Sequence, residues 1–183
     1  MSSHVAIYGI LAIGMLLVIL TGGIDLSVGS VLGLAGIIAG FLMQGVTFNS
    51  MGIILYPPVW AVVVMTLAFG AFLGSITGVL VAYMRVPAFV ATLGILYVAR
   101  GIALLITNGL TYNNLGGNAT YGNTGYDWLG FNRLFGIPVS VVVLAVLAAI
   151  FGIVLARSAF GRWIYATGGN QRAAELSGVP VPF

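Results

Sequence analysis

Five apolar runs, residues 5–20, 28–45, 59–84, 87–107 and 137–156, take up most of this 183-residue sequence and restrict the environment it can occupy. A helix needs about 20 mostly apolar residues to cross the hydrocarbon core of a bilayer. Backbone inside lipid has no water to bond, so a spanning segment must be a helix or part of a closed barrel. The runs are continuous rather than alternating, which excludes a barrel built from alternating strands of about 10 residues. The charge content agrees. Six arginines and three acids make up only 5% of the chain, against about 25% in a soluble domain. That sparsity excludes a water-soluble globule, and it excludes a disordered chain as well. Disulfides, thiol chemistry and thiolate metal sites are excluded because there is no cysteine. A single histidine, His4, makes no metal cluster, and the surplus of three positive charges forms no basic stripe for nucleic acid. Residues 1–20 lack the positive n-region of a signal peptide, and the apolar runs continue beyond them.

Five helices alternate in direction, and arginine placement orients them, because cytoplasmic loops are enriched in Lys and Arg. Arg157, Arg162 and Arg172 follow the last run, which predicts that residues 157–179 are cytoplasmic. Residues 108–136, with Arg133 and Asp127, are then outside, as is the uncharged stretch 46–58. Arg85 and the turn at 21–27 fall inside, and Met1 falls outside. An N-terminus that starts outside is hard to insert without a helix before it. The other terminus, Val179-Pro180-Val181-Pro182-Phe183, stops just after the cytoplasmic loop. The expectation is a piece of a longer polytopic protein. The alternative is one discontinuous span over residues 5–45, which puts Met1 inside.

The stretch Thr21-Gly22-Gly23-Ile24-Asp25-Leu26-Ser27-Val28-Gly29-Ser30 interrupts two apolar runs. Gly22 and Gly23 can end a helix, and Asp25 or Ser27 can cap the next one. An ionisable residue at membrane depth is a functional candidate, and discontinuous helices mark many transport sites. Asp25 is thus either a simple cap at the interface or part of a transport path. Gly29, Gly33, Gly36 and Gly40 share one helical face, and Gly70, Gly74 and Gly78 repeat every fourth residue. Both stripes predict close helix packing in lipid. Pro87 suits the first turn of the fourth helix. Arg100 lies deep in that helix, with Asn108 just beyond it. Arg100 either snorkels to the outer interface or pairs within the bundle. In residues 108–136, Asn113, Asn114, Asn118 and Asn123 alternate with Tyr112, Tyr121, Tyr126 and Trp128. These residue types suit sugar hydroxyls and ring faces, and equally an aromatic belt beside a turn-rich loop. Asn118-Ala119-Thr120 is a weak glycosylation sequon.

Past the last run, Gln171-Arg172-Ala173-Ala174-Glu175-Leu176 has a short helical pattern, with Asn170 as N-cap. Gly168 and Gly169 precede it and Gly178 follows. Such a helix can dock on a cytoplasmic protein or lie in the interface.

Three ordered blocks carry a resemblance. The 21–30 stretch quoted above is the first. Val86-Pro87-Ala88-Phe89-Val90-Ala91-Thr92-Leu93-Gly94, Arg100-Gly101 and Thr107-Asn108-Gly109 make the second. The third is Gly161-Arg162-Trp163-Ile164-Tyr165-Ala166-Thr167-Gly168-Gly169-Asn170 with Ala173-Ala174 and Leu176-Ser177-Gly178. Over essentially the whole chain, this pattern resembles bacterial ABC sugar-importer permeases of the ribose/xylose/galactoside type, and its ribose members most. The fold class expected is an all-α polytopic membrane protein, with about five membrane-spanning helices in this piece of a roughly ten-helix permease.

The resemblance implies a dimer of permease copies with two cytoplasmic ATPase subunits, which bind the ATP and magnesium, and a periplasmic sugar-binding protein. Gly168, Gly169, Asn170, Ala173, Ala174, Glu175, Leu176 and Gly178 would be the ATPase-coupling segment. Residues 108–136 would help receive the binding protein. Asp25, Ser27, Phe89, Thr92, Arg100 and Asn108 are candidate lining residues, chosen by motif position and polarity at depth. The chain has no G-x-x-x-x-G-K-[ST] loop, so ATP hydrolysis falls to a partner and the chain itself is not expected to be an enzyme. A carrier driven by protons or ions through Asp25 is the second hypothesis. An intramembrane enzyme is disfavoured, because Ser27 and Ser30 have no base partner and His4 is near the terminus.

Overall fold

A computed structural model describes residues 2–48, 52–112, 115–117, 119–134 and 136–180. Asn113, Asn114, Asn118 and the final Val181-Pro182-Phe183 lie outside the described residues. The elements are α1 (Ser2–Leu20), α2 (Val28–Gln44), a hairpin of β1 (Val46–Phe48) and β2 (Ile53–Leu55), α3 (Val59–Ala82) and α4 (Ala88–Thr107). A 3-10 turn (Ala119–Tyr121), α5 (Tyr126–Phe131) and the pair β3 (Arg133–Leu134) and β4 (Ile137–Pro138) follow. The chain ends in α6 (Val139–Arg157), α7 (Ala159–Gly169) and α8 (Gln171–Leu176). Both strand pairs are short and antiparallel.

Four helices, α1, α3, α4 and α6, are long and apolar enough to cross a membrane, and α2 is a shorter apolar helix. The helix expected over 28–45 has only 17 residues, a rise of about 25 Å. It stops because Gly45 turns to φ 94° and leads into the hairpin. The third run stops at Ala82 rather than 84, ahead of a left-handed Arg85. Pro87 is the N-cap of α4 rather than its first-turn residue. The fifth helix begins at Val139 because Ile137 and Pro138 pair with residues 133–134.

Helices α2, α3 and α4 pack together, and α1 packs on α6 and α7. The trio's core holds Leu34, Leu73, Ala99 and Ala103, with Phe69 and Ile102 against them. A second cluster, Ala39, Leu42, Met43 and Val62, receives Leu115 and Tyr126 from the long loop. Helix α2 runs parallel to α4. Its entry, at Gly23, meets Ala88 at the start of α4, and Gly40 near its end meets Tyr112 just past the end of α4. Helix α1 runs parallel to α6: Gly9 faces Leu144 in the first half of each, and the Leu20 end of α1 meets α7, which starts just past α6.

Two ends of the bundle follow. One carries the 21–27 turn, the start of α4, α7 and α8. The other carries the β1–β2 hairpin and the long loop, where Tyr56 and Tyr121 stack with ring centroids 4.2 Å apart.

Candidate functional site

The 21–27 turn is held by its own acid. The Asp25 carboxylate accepts from the Ser27 backbone N–H at 2.7 Å and from the Ser27 hydroxyl at 2.6 Å. Ser27 sits at the N-cap of α2, but its side chain makes no cap bond because it donates to Asp25. Neither cap expected from the sequence is thus a direct one. Thr92 joins the turn to α4. Only 2% exposed, its hydroxyl lies 2.8 Å from the Ala88 carbonyl and 3.3 Å from that of Ile24. The structure therefore brings Asp25, Ser27 and Thr92 together, with Phe89 one turn from Thr92.

Arg100 and Asn108 are apart from that cluster. Arg100 is exposed, eight positions along α4 from Thr92, a rise of about 12 Å. Among the described residues Arg172 pairs with Glu175 at 3.8 Å, and no Arg100–Asp25 pair forms. Asn108 is the exposed C-cap of α4, in the left-handed conformation that asparagine tolerates. Phe89, Arg100 and Asn108 lie on the open side of α4, together with the exposed Tyr97 and Leu104. Thr92 lies on the packed side. No group of metal-ligating side chains occurs among the described residues.

Within this chain the glycine stripes are mostly open. A Cβ at Gly29, Gly33, Gly36, Gly70, Gly74 or Gly78 would meet open space within this chain, and only Gly40 closes on a neighbour, Tyr112. Spacing tells which residues share a face, but not what lies opposite. The tight glycines are elsewhere. At Gly161 a Cβ would run into the Leu155 backbone, and at Gly168 into the Leu20 backbone.

The long loop also differs from its open alternatives. Asn123 is buried, and its amide donates to the Met43 carbonyl at 3.0 Å. That carbonyl belongs to the last turn of α2, where carbonyls lack intrahelical partners. Tyr112 packs on Gly40, Tyr121 stacks on Tyr56, and Tyr126 enters the core. Burial pushes the Tyr126 phenol above its ordinary value of 10.0, so it stays protonated at neutral pH. Trp128 remains exposed.

Beyond α6, the segment 157–179 forms two helices, where the sequence signalled only the second. Ser158 caps α7, accepting from the Gly161 N–H at 3.1 Å. The serine ahead of Phe160 was the available signal. Asn170 caps α8, accepting from the Ala173 N–H at 3.0 Å. At its other end the Gly178 N–H bonds the Glu175 carbonyl and the Val179 N–H bonds the Ala174 carbonyl, with Gly178 at φ 79°. That is the Schellman closure, which requires a left-handed residue at the glycine position. A six-residue helix is unstable alone. Here both ends are capped and Ala174 is buried, so α8 is preformed. Gly169, Ala173 and Leu176 face outward, and Leu176 is 81% exposed.

The family described as "Branched-chain amino acid transport system / permease component" matches residues 2–183. The chain belongs to this permease family. The chain is 39% identical to the ribose import permease protein RbsC of Escherichia coli (strain K12) over 176 residues, 96% of this chain and 51% of that protein. To the RbsC of Bacillus subtilis (strain 168) it is 39% identical over 179 residues, covering 97% of this chain and 51% of that protein. To the fructose import permease protein FruF of Bifidobacterium longum (strain NCC 2705) it is 36% identical over 172 residues, 94% and 45% of the two chains. The chain spans about half the length of the curated relatives it matches. No solved structure matches it. Family and helices together make it a multi-pass protein of the bacterial inner membrane.

Proposed function

We propose that the permease is part of the membrane subunit of an ATP-driven importer of a monosaccharide, a ribose-like pentose or a related sugar. Partner ATPases bind ATP and magnesium, a periplasmic protein delivers the sugar, and a second permease copy completes the path. The relatives' names support the sugar class. The observation that carries the coupling role is α8, a short helix fixed at both ends that presents an 81% exposed leucine, Leu176, to a partner. A rigid apolar anchor is what a protein interface uses as its centre.

The end bearing α7, α8 and the 21–27 turn is then cytoplasmic, a side that the arginines at 157, 162 and 172 support. The parallel α1 and α6 support separate crossings for residues 5–20 and 28–45, because a single broken span would set α1 antiparallel to α6. The open side of α4, with Phe89, Tyr97, Arg100 and Asn108, is the side we assign to the sugar path. Asp25 and Ser27 shape its cytoplasmic entry, and Thr92 ties them to α4. Because both Ser27 donors occupy Asp25, no observation favours a proton-coupled carrier.

The test uses the full-length subunit purified with its ATPase. Leu176→Glu and Gly169→Trp are each expected to lower ATP-dependent sugar uptake about tenfold or more and to weaken ATPase co-purification. Normal uptake and co-purification in both variants would contradict the assignment.

A further inference from the structure

Helix α7 has a position and a face that the coupling role does not use. Gly161 sits against the backbone of Leu155, in the last turn of α6, and Gly168 sits against Leu20, the last residue of α1. Seven residues of α-helix rise about 10 Å, and packed helices lie 8–10 Å apart. Helices α1 and α6 run side by side, so α7 lies across the ends of both. It therefore runs in the plane where those two spans leave the hydrocarbon.

Its faces are distinct. Gly161, Ile164 and Gly168 recur at helical spacing and point at the spans; Gly161 and Ile164 are buried. Phe160 and Trp163 form the adjacent stripe and are 52% and 41% exposed. Arg162 is exposed on the remaining side. An exposed apolar surface lies on α6 as well. There the exposed Val143, Val146, Ile150 and Ile153 follow one side, away from Leu144, which faces Gly9, and from the buried Leu155. The next position on that side is Arg157, also exposed. No acid occurs between Arg157 and Gly169, and the nearest one, Glu175, is paired with Arg172.

We propose that α7 is an in-plane interfacial helix. Phe160 and Trp163 lie at the boundary between headgroups and acyl chains, and Arg157 and Arg162 bind anionic phospholipid headgroups. Tryptophan favours that depth. An amphipathic helix with an aromatic side and arginines is attracted to anionic lipid by both burial and charge. The proposal goes beyond the transport reading and does not depend on it: α8 faces the protein partner, and α7 faces lipid.

The test takes the full-length protein, with Trp163 as its sole tryptophan, in nanodiscs of phosphatidylcholine and phosphatidylglycerol. Acyl chains brominated near the carbonyl are expected to quench Trp163 strongly, chains brominated deeper to quench it less, and aqueous acrylamide to have little effect. Energy transfer from Trp163 to pyrene-labelled lipid should be about twice as efficient for phosphatidylglycerol as for phosphatidylcholine. In Arg157→Gln/Arg162→Gln that preference should vanish while bromine quenching persists. Acrylamide quenching without bromine quenching would overturn the proposal. So would shielding of Trp163 that appears only when the ATPase is added, which would assign the face to a protein. Equal transfer to the two lipids in the unaltered arginine background would overturn the headgroup assignment.

Discussion

Gly168→Val is expected to abolish sugar uptake and to leave little folded protein. All the atoms nearest to an added Cβ are backbone: the Leu20 carbonyl oxygen, its carbon at 2.9 Å and the Thr21 Cα at 3.5 Å. A flexible side chain could rotate away, but the end of α1 cannot. Overpacking a tight site costs about 1–3 kcal/mol or more. Against this, replacing a helical glycine gains only a few tenths of a kcal/mol, up to about 1. The clash wins, and α7 must leave the end of α1. Gly169, the next residue, faces open space, so Gly169→Val serves as the folding control. Melting temperatures in detergent should fall by several degrees for Gly168→Val and hardly change for Gly169→Val. A Gly168→Val protein with normal melting temperature and uptake would mean that α7 does not rest on α1.

The second large effect separates two variants of one residue. Asp25→Ala should be strongly impaired, whereas Asp25→Asn should keep most of the uptake. The carboxylate accepts two hydrogen bonds, from the N–H and the hydroxyl of Ser27. An asparagine carbonyl can accept both, and alanine neither. Losing a charge-assisted hydrogen bond in a half-buried turn costs about 1.5–3 kcal/mol. The Ala variant also releases the segment that Thr92 ties to α4. A residue that carries protons in its transport cycle gives the opposite pattern, since asparagine cannot titrate. Loss of uptake in Asp25→Asn at unchanged thermal stability would therefore contradict the structural role.

What the sequence disclosed follows from which forces are local. The apolar runs reported helices because burial in lipid is decided segment by segment. Both ends of α8 were legible because its caps are local: Asn170 bonds Ala173, and Gly178 closes onto Glu175. Asn123 was not, because its partner is the Met43 carbonyl at the end of α2, distant in sequence. Its amide resembles any polar loop group until that carbonyl is in place. The glycines show the same divide. A Cβ on Gly29, Gly33 or Gly36, a visible stripe, would meet open space in this chain, whereas Gly161 and Gly168, seven residues apart, sit hard against the backbones of Leu155 and Leu20. The site divides likewise: Asp25 and Ser27 are neighbours whose bond is local, but only the fold brings Thr92 to them and leaves Arg100 outside.

Energy source is the central claim, and uptake into proteoliposomes tests it most directly. The full-length subunit, its ATPase and the binding protein are reconstituted with ATP in the lumen and labelled sugar outside. Uptake should continue when a protonophore collapses the proton gradient and stop when ATP is withheld. Uptake that ends with the gradient while ATP remains would contradict the account.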